Sequence, residues 1–506
     1  MPELEGNARH EVSLIRNPMS LVGAALAVTS LATIVFLLFV NFISVQPSPY
    51  VGVLLFMVTP AFLILGLVVI LFGMLLERRR RRRETPSVIP RFPSIDLNIR
   101  AQRNTFAFFV SAACLFALIS AIGSYSSYEF TDSVQFCGQT CHTVMSPEYT
   151  TYLQSPHARV ACVQCHVGPG AGWYVRSKLS GSYQVYAAIF HKYPRPITTP
   201  IANLRPAQQT CEQCHWPRKF YGAQLKVFYH YAEDERNTPR QIRMLINTGG
   251  AEPNAGIPAG IHWHGNIENR ITYVASDPQR QIIPWVQARD LEGRTTVYVA
   301  KDSRLTSAQI QTSPKHLMDC IDCHDRPSHI FTPPDRSVDN SLVAGRVDSS
   351  LPFIKQQGVS ALTKTYGTTA EALGGIENDI QQFYRTKYPA VYATREAGIQ
   401  AAIADLQHIY QSTIFPYMKV DWRTHPNNIG HYYSMGCFRC HDGQHVSPEG
   451  KVIPKDCTIC HTILAQLESG VPLMRQEEGI SFQHPVNIGD VTEVTCSDCH
   501  SGGVGR

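Results

Sequence analysis

Residues 437–461 read CFRCHDGQHVSPEGKVIPKDCTICH and contain the pattern C-x-x-C-H twice. The same pattern begins at four other cysteines of this 506-residue chain, namely Cys162, Cys211, Cys320 and Cys496. A version that is one residue longer, C-x-x-x-C-H, begins at Cys137. Random placement of 15 Cys and 20 His would give about 0.02 copies of C-x-x-C-H. The seven motifs use 14 of the 15 cysteines, so the pattern is not accidental.

The order Cys, Cys, His suits the covalent attachment of haem c. Two thiols on one helical turn can both form thioethers with one porphyrin, and the histidine that follows can then bind the iron. Zinc sites and disulfides also use cysteine pairs, but neither requires a histidine directly after each second cysteine. The sequence therefore predicts seven covalently bound c-type haems. Their attachment thiols and proximal iron ligands are Cys137, Cys141 and His142; Cys162, Cys165 and His166; Cys211, Cys214 and His215; Cys320, Cys323 and His324; Cys437, Cys440 and His441; Cys457, Cys460 and His461; Cys496, Cys499 and His500.

Three apolar runs without charge precede the motifs. Leu21–Ile43 and Tyr50–Leu76 are each long enough to cross the roughly 30 Å hydrocarbon core of a bilayer. Thr105–Ser124 is shorter and richer in small residues, and the alternative for it is a buried core helix. We expect residues 1–125 to form a membrane anchor of three transmembrane helices, the first of which is an uncleaved anchor.

Basic residues predict the orientation of this anchor. Six consecutive arginines, Arg78–Arg83, lie between the second and third runs, and such loops stay in the cytoplasm. Three spans then place the chain after about Tyr125 in the periplasm of a bacterium, as a multi-pass protein of the inner membrane. A nucleic-acid role for the arginine run is disfavoured because the run directly follows an apolar span, and we expect no nucleic-acid partner.

The rest of the chain predicts two haem-bearing domains, 126–335 and 336–506, that are mainly α-helical or irregular. Within the first domain, a small β-rich insertion is expected at about 220–310, because three runs there favour strands: Lys226–Tyr231, Ile271–Ala275 and Thr295–Val299. The second domain opens with residues 342–416, which read as helices. Their apolar residues recur at helical spacing, as at Ile399, Ile403, Leu406 and Tyr410.

Each haem iron also needs a ligand on its second face. Twelve histidines remain after the motif residues and the N-terminal His10 are set aside, so two-histidine ligation is the default. Four of them surround the last three motifs and are predicted distal ligands: His425, His431, His445 and His484. The His262-Trp-His264 pair of the insertion is either a ligand site or, as is more common for such a pair, structural. The thioether of Met145, three residues after His142, is a candidate ligand of the first haem.

Three stretches resemble the membrane-anchored tetrahaem quinol dehydrogenases of the NapC/NirT/NrfH family. They are Cys137-Gly-Gln-Thr-Cys141-His142-Thr-Val-Met145; Ser155-Pro-His157 before Cys162-Val-Gln-Cys165-His166; and Lys315-His316-Leu-Met-Asp-Cys320 through His324 to His329. The resemblance covers Thr105 to about Ile330. The chain departs from the family by its extra spans and by the longer first motif. The whole plan is similar to the seven-haem inner-membrane cytochromes of metal-respiring bacteria.

The resemblance implies roles for single residues. Met145 would bind the first iron, His157 the fourth, and His316 and His329 the second and third. A family lysine beside the quinol corresponds to Lys178, with Arg176 next to it, and Gln184 stands where some members have an acidic residue.

The expected function is oxidation of menaquinol and transfer of its electrons through the haems to periplasmic acceptors, in anaerobic or extracellular respiration. The expected partners are the quinone pool, periplasmic multihaem or soluble cytochromes, and integral membrane subunits. Two alternatives stay open: a haem-wire subunit of a larger respiratory complex, and a multihaem terminal reductase of the nitrite or hydroxylamine type. The absence of any C-x-x-C-K motif counts against the reductase.

Overall fold

The structure is a computed structural model. It describes residues 14, 17–43, 54–84, 96–140, 142–168, 170–201, 204–216, 219–220, 222–249, 260–265, 269–290, 292–491 and 494–503. The chain divides into two compact units, Met1–His142 and Thr143–Arg506.

The first unit contains two long apolar helices, α1 (Pro18–Ile43) and α2 (Thr59–Glu84), with a π turn at Leu54–Val58 before the second. Both helices are long and apolar enough to cross a membrane, over Pro18–Phe39 and Thr59–Arg80. They pack closely because small residues face each other. A Cβ atom at Gly66 would lie 2.7 Å from the backbone nitrogen of Ala27, which is the small-residue contact common between membrane helices.

The third apolar run lies inside one 32-residue helix, α3 (Arg100–Thr131). About 48 Å of helix follows from that length, which is more than a bilayer core requires. Among the described residues, α1 and α2 are the two helices long and apolar enough for a membrane span. Many side chains of Thr105–Ser124 lie outside the described residues, and the third span stays a prediction. Helix α2 also continues through the arginine run, and α3 crosses the predicted boundary at residue 125.

The second unit mixes short helices around the motifs with a helical bundle and two sheets. Its helices are α4 (His142–Leu153), α5 (Cys162–His166), α6 (Ala171–Ile189), α7 (Ala207–Thr210), α8 (Ser307–Thr312), α9 (Cys320–Cys323), α10 (Pro334–Val343), α11 (Ile354–Thr363), α12 (Thr369–Lys387), α13 (Pro389–Thr394), α14 (Glu396–Thr413) and α15 (Cys496–Cys499). Its strands are β1 (Gln224–Tyr231), β2 (Pro239–Ile246), β3 (Arg270–Val274), β4 (Trp285–Arg289), β5 (Thr295–Ala300), β6 (His316–Leu317), β7 (His445–Val446), β8 (His461–Glu468) and β9 (Val471–Ile480).

Both sheets join residues from the two predicted haem domains. The four-stranded sheet has the order β1-β2-β8-β9, and the five-stranded sheet has the order β6-β3-β4-β5-β7, with all pairs antiparallel. The three predicted strand runs coincide with β1, β3 and β5. The predicted boundary at 335/336 does not separate two bodies, because β7, β8 and β9 complete sheets that begin in the insertion.

The largest apolar core belongs to helices α10–α14. Four residues predicted from the helical spacing are buried in it: Ile399, Ile403, Leu406 and Tyr410. Helix α12 begins with a capping box in which Thr368 and Glu371 satisfy each other's backbone amides. This bundle packs as an ordinary hydrophobic core and contains no attachment motif.

Candidate haem sites

Each complete motif in the described residues folds as a single turn. The backbone amide of the motif histidine donates to the carbonyl of the first cysteine at 2.8 Å in the third, fourth and seventh motifs and at 3.0 Å in the fifth. This turn brings both thiols of a motif to one side. The longer first motif contains a π turn at Phe136–Thr140, and a π turn accommodates one extra residue. Cys141 and the side chain of His142 lie outside the described residues.

The six other motif histidines each lie opposite a second imidazole. The distances between ring centres are 6.4 Å for His166 and His329, 6.1 Å for His215 and His157, 6.3 Å for His324 and His262, 5.7 Å for His441 and His264, 6.2 Å for His461 and His431, and 6.0 Å for His500 and His484.

This spacing fits one iron between two rings. A metal–imidazole bond of about 2.0 Å, extended to the ring centre on both sides, separates two ring centres by about 6 Å. Direct packing of aromatic rings covers a wide range of distances, whereas the six pairs here fall between 5.7 and 6.4 Å. The residues present therefore fit six-coordinate haem iron at the second to seventh motifs.

Backbone carbonyls orient many of these imidazoles. The Nδ1 atoms of His157, His262, His264, His329 and His484 lie 2.6–3.2 Å from the carbonyl oxygens of Pro327, Thr248, Ile261, Glu148 and Val486. An Nδ1–H donor in this position leaves Nε2 as the lone-pair atom for a metal. Four of the six second imidazoles thus have the hydrogen bond that iron ligands generally have, whereas Nδ1 of His484 also lies 3.3 Å from the backbone amide of Val486, which donates to it.

The second imidazoles differ in part from the predicted ligands. His329, His431 and His484 lie opposite motif histidines, and His329 faces the second motif; their ligation of iron stays a prediction. His157 lies opposite His215 of the third motif, whereas the resemblance implied the fourth.

Three predicted ligands have no such partner in the described part of the chain. The ring of His316 lies 5.4 Å from that of Tyr273. His445 is buried. Its Nε2–H donates to the Ile283 carbonyl at 2.7 Å and its Nδ1 lies 2.9 Å from the Asp442 carboxylate, so both its nitrogens are occupied.

His425 differs from these two because one of its nitrogens is available. Its Nδ1 contacts the Thr199 hydroxyl at 3.2 Å, and its buried Nε2 has no hydrogen-bond partner among the described residues. Burial and then the charge of Arg326 lower the pKa of His425 to about 4. Met145 is half-buried on α4, and both residues stay predicted ligands.

The sequence left the His262-Trp-His264 pair of the insertion open between a ligand site and a structural role, and two of the six second imidazoles come from this pair. His262 and His264 lie on one 3₁₀ turn, Ile261–Gly265, and face the motif histidines His324 and His441. The His-Trp-His spacing was the available signal.

Thiols of consecutive motifs lie near one another along the second unit. The Cys211 thiol donates a hydrogen bond to Cys320, which raises the pKa of Cys211. Burial and then the nearby Cys437 raise the pKa of Cys323 to about 12. The remaining interacting thiols are Cys165 with Cys214, Cys460 with Cys437, and Cys496 with Cys457. The second to seventh motifs thus form a row in chain order.

The three predicted quinol residues share helix α6 but do not converge. Successive helical residues rotate by about 100°, which places Arg176 about 160° and Gln184 about 120° away from Lys178. Lys178 is half-buried, with its ammonium 4.8 Å from the centre of the Tyr174 ring, whereas Arg176 and Gln184 are exposed. The helix also exposes large apolar side chains, including Leu179 and Tyr183.

The described residues do not favour the alternatives for the cysteine pairs. Within them, no three metal-binding side chains cluster as a tetrahedral zinc site requires, and no described cysteine forms a disulfide.

Comparisons with known proteins agree with these motifs. A family model described as the N-terminal region of the NapC/NirT cytochrome c family matches residues 100–198, which include the first two motifs. The chain is also similar to the cytochrome c-type protein ImcH of Geobacter sulfurreducens, with 45% identity over 493 residues that cover 97% of this chain and 96% of that protein. No solved structure matches.

Proposed function

Since this chain belongs to the NapC/NirT family of cytochromes c, we propose that it is a seven-haem cytochrome that oxidises menaquinol and passes the electrons to periplasmic acceptors. Family membership implies covalent haem c and a membrane location. The observation that carries the finer proposal is the set of six imidazole pairs, one for each of the second to seventh motifs. A site for catalysis on iron would instead need an open face.

We propose that the second imidazoles are the distal iron ligands: His329, His157, His262, His264, His431 and His484 for the second to seventh motifs in order. When bound, haem c supplies one-electron iron chemistry. The chain holds the attachment thiols of neighbouring motifs beside each other, which supports electron transfer along the row in chain order. Met145 is the proposed ligand of the first haem.

Menaquinol oxidation is proposed at the first haem, with Lys178 as the residue beside the quinol. The half-buried lysine and the exposed apolar side chains of Val175 and Val185, which lie within about 60° of it around α6, suit an amphipathic molecule with oxygen atoms at its head. Arg176 and Gln184 remain proposed contributors, although they lie on other sides of the helix.

The proposed location is the bacterial inner membrane, with the haems in the periplasm. The arginines at the end of α2 support a cytoplasmic position for that end. A third span through α3 would then bring the first motif to the periplasmic side, where c-type haems are attached. The proposed partners are the quinone pool and periplasmic cytochromes.

The two alternatives make different demands on the sites. A terminal reductase needs a five-coordinate iron, and the six imidazole pairs disfavour this at six motifs. A haem-wire subunit needs the same row of sites but no quinol site, so only a quinol assay separates it from the proposal.

The test is reduction of the purified, fully haem-loaded protein by a menaquinol analogue, and the change in haem absorbance measures the rate of reduction. We expect reduction by the parent, a slower rate or a higher KM for Lys178→Met, and parent behaviour for the control Lys192→Met. Lys192 is a suitable control because its exposed ammonium also lies over a tyrosine ring, at 5.2 Å from Tyr186. Failure of the purified, fully haem-loaded parent to accept electrons from the analogue, while it is reduced in intact membranes, would refute quinol oxidation by this chain and leave the wire subunit.

A further inference from the structure

Arg205 is a buried cation without a counter-ion in the described part of the chain. It is 5% exposed. Its Nε and Nη1 atoms have no hydrogen-bond partner there, and its Nη2 donates only to the Gln209 side-chain oxygen, at 3.4 Å. Two donors of a permanently charged group therefore remain unused in a place that water does not reach.

The surroundings hold this guanidinium firmly. Its central carbon lies 5.7 Å from the ring centre of Trp173, and that of Arg176 lies 5.4 Å from the same ring. Gly168 has φ +64°, and a Cβ atom there would lie 1.5 Å from Nη1 of Arg205. Only glycine allows this approach, so the backbone at Gly168 leaves space for the guanidinium.

An unpaired guanidinium in such a place is strongly unfavourable, because burial removes its hydration. Arginine cannot relieve this cost by losing its proton. The guanidinium fork matches a carboxylate, with two parallel N–H donors to two oxygens. The unused Nε and Nη1 atoms therefore indicate an anionic oxygen ligand.

We propose that Arg205 binds a propionate carboxylate of a haem attached at the second or third motif. Gly168 follows His166 of the second motif by two residues, and Arg205 precedes Cys211 of the third motif by six. Each attached haem adds two carboxylates to a region whose described carboxylates do not pair with Arg205. The inference rests on the covalent haems of the proposed function. The other source of an anionic oxygen is an ionised quinol.

The test compares Arg205→Gln, Arg205→Lys and the control Arg385→Gln in detergent-solubilised, full-length protein, with haem content verified by mass. Arg385 also lies over an aromatic ring, 5.0 Å from the centre of Tyr392, but it is exposed and hydrogen-bonded. The midpoint potentials of all haems are measured by spectroelectrochemical titration across the neutral pH range, and the KM for a menaquinol analogue is measured in parallel.

We expect Arg205→Gln to lower the midpoint potential of one haem, because an unpaired propionate charge stabilises ferric iron. That potential should also become pH-dependent, because the propionate would then titrate. Arg205→Lys should retain most of the parent behaviour, and Arg385→Gln all of it.

Three outcomes would overturn the inference. Unchanged potentials and pH profiles in a fully loaded Arg205→Gln exclude a propionate ligand. A higher KM with unchanged potentials assigns Arg205 to the quinol instead. Loss of haem from both Arg205 variants, including Arg205→Lys, which keeps the charge, means that the protein needs the arginine side chain for folding. Arg205 would then have no role as a partner of a haem propionate. A parent protein without covalent haem would refute the proposed function itself.

Discussion

Replacing His262 with alanine tests the proposed pairing at the fourth motif. The ring centres of His262 and His324 are 6.3 Å apart and their planes differ by 3°, close to the separation of about 6 Å for two imidazoles on one metal. Alanine removes one ring and leaves His324 on the other face. One haem in seven should then become five-coordinate and high-spin when ferric.

The expected magnitude follows from that count. About 14% of the haem should show high-spin absorption, and carbon monoxide binding to the reduced protein should rise from about zero to about one molecule per chain. Resonance Raman spectra give the first quantity, and optical titration with carbon monoxide gives the second.

The matched control is His316→Ala, because the family resemblance implied His316 as an iron ligand. The structure places that ring 5.4 Å from Tyr273, so the variant should keep parent spectra and bind no carbon monoxide. The pairing is wrong if His262→Ala stays fully low-spin, or if His316→Ala opens a haem.

Three further predictions concern the second unit. Leu406 is fully buried in the helical core, so Leu406→Ala should lower the free energy of unfolding by about 2–5 kcal/mol in a urea titration. The control is Leu225→Ala at a position that is 58% exposed, and it should change this free energy by less than about 0.5 kcal/mol. Burial raises the pKa of the Glu148 carboxyl, so the folded state loses stability as the pH rises from the ordinary carboxyl pKa through the raised one. Glu148→Gln should therefore be more stable than the parent at about pH 7 and no more stable at about pH 4. An equal gain in the free energy of unfolding at both pH values would contradict burial as the cause. The planes of the paired imidazoles differ by only 3° at the fourth motif but by 79° at the third and 81° at the fifth, so ferric electron paramagnetic resonance should show two classes of low-spin haem. His157→Ala should leave the fifth motif as the one perpendicular site of these two and should not change the parallel class.

Local chemistry made the attachment turns and the bundle predictable. Two thiols and a histidine within five residues require only one helical turn, and the 3.6-residue spacing of Ile399, Ile403 and Leu406 needs no knowledge of distant residues. The strands β8 and β9 were not predicted, because β8 begins at His461 itself. A motif residue that opens a strand gives no local sign of the partner strand, and β2 lies more than 200 residues earlier in the chain.

The second imidazoles could not be assigned from sequence for the same reason. A motif histidine is adjacent to its cysteine, whereas its opposite imidazole lies between 16 residues away (His484 and His500) and 177 residues away (His264 and His441). Counting histidines predicts that pairs form but not which ones, and the resemblance could not supply ligands from an insertion that the family core lacks.

The insertion provides the link between the fourth and fifth motifs. On the 3₁₀ turn Ile261–Gly265, each residue rotates by about 120°, so side chains two residues apart point about 120° away from each other. His262 and His264 therefore cannot serve one iron, but they can serve two neighbouring irons. The thiols of Cys323 and Cys437, which belong to the same two motifs, also lie beside each other. One short turn thus sets the spacing of two adjacent proposed haems, and a residue inserted between His262 and His264 should disturb both sites together.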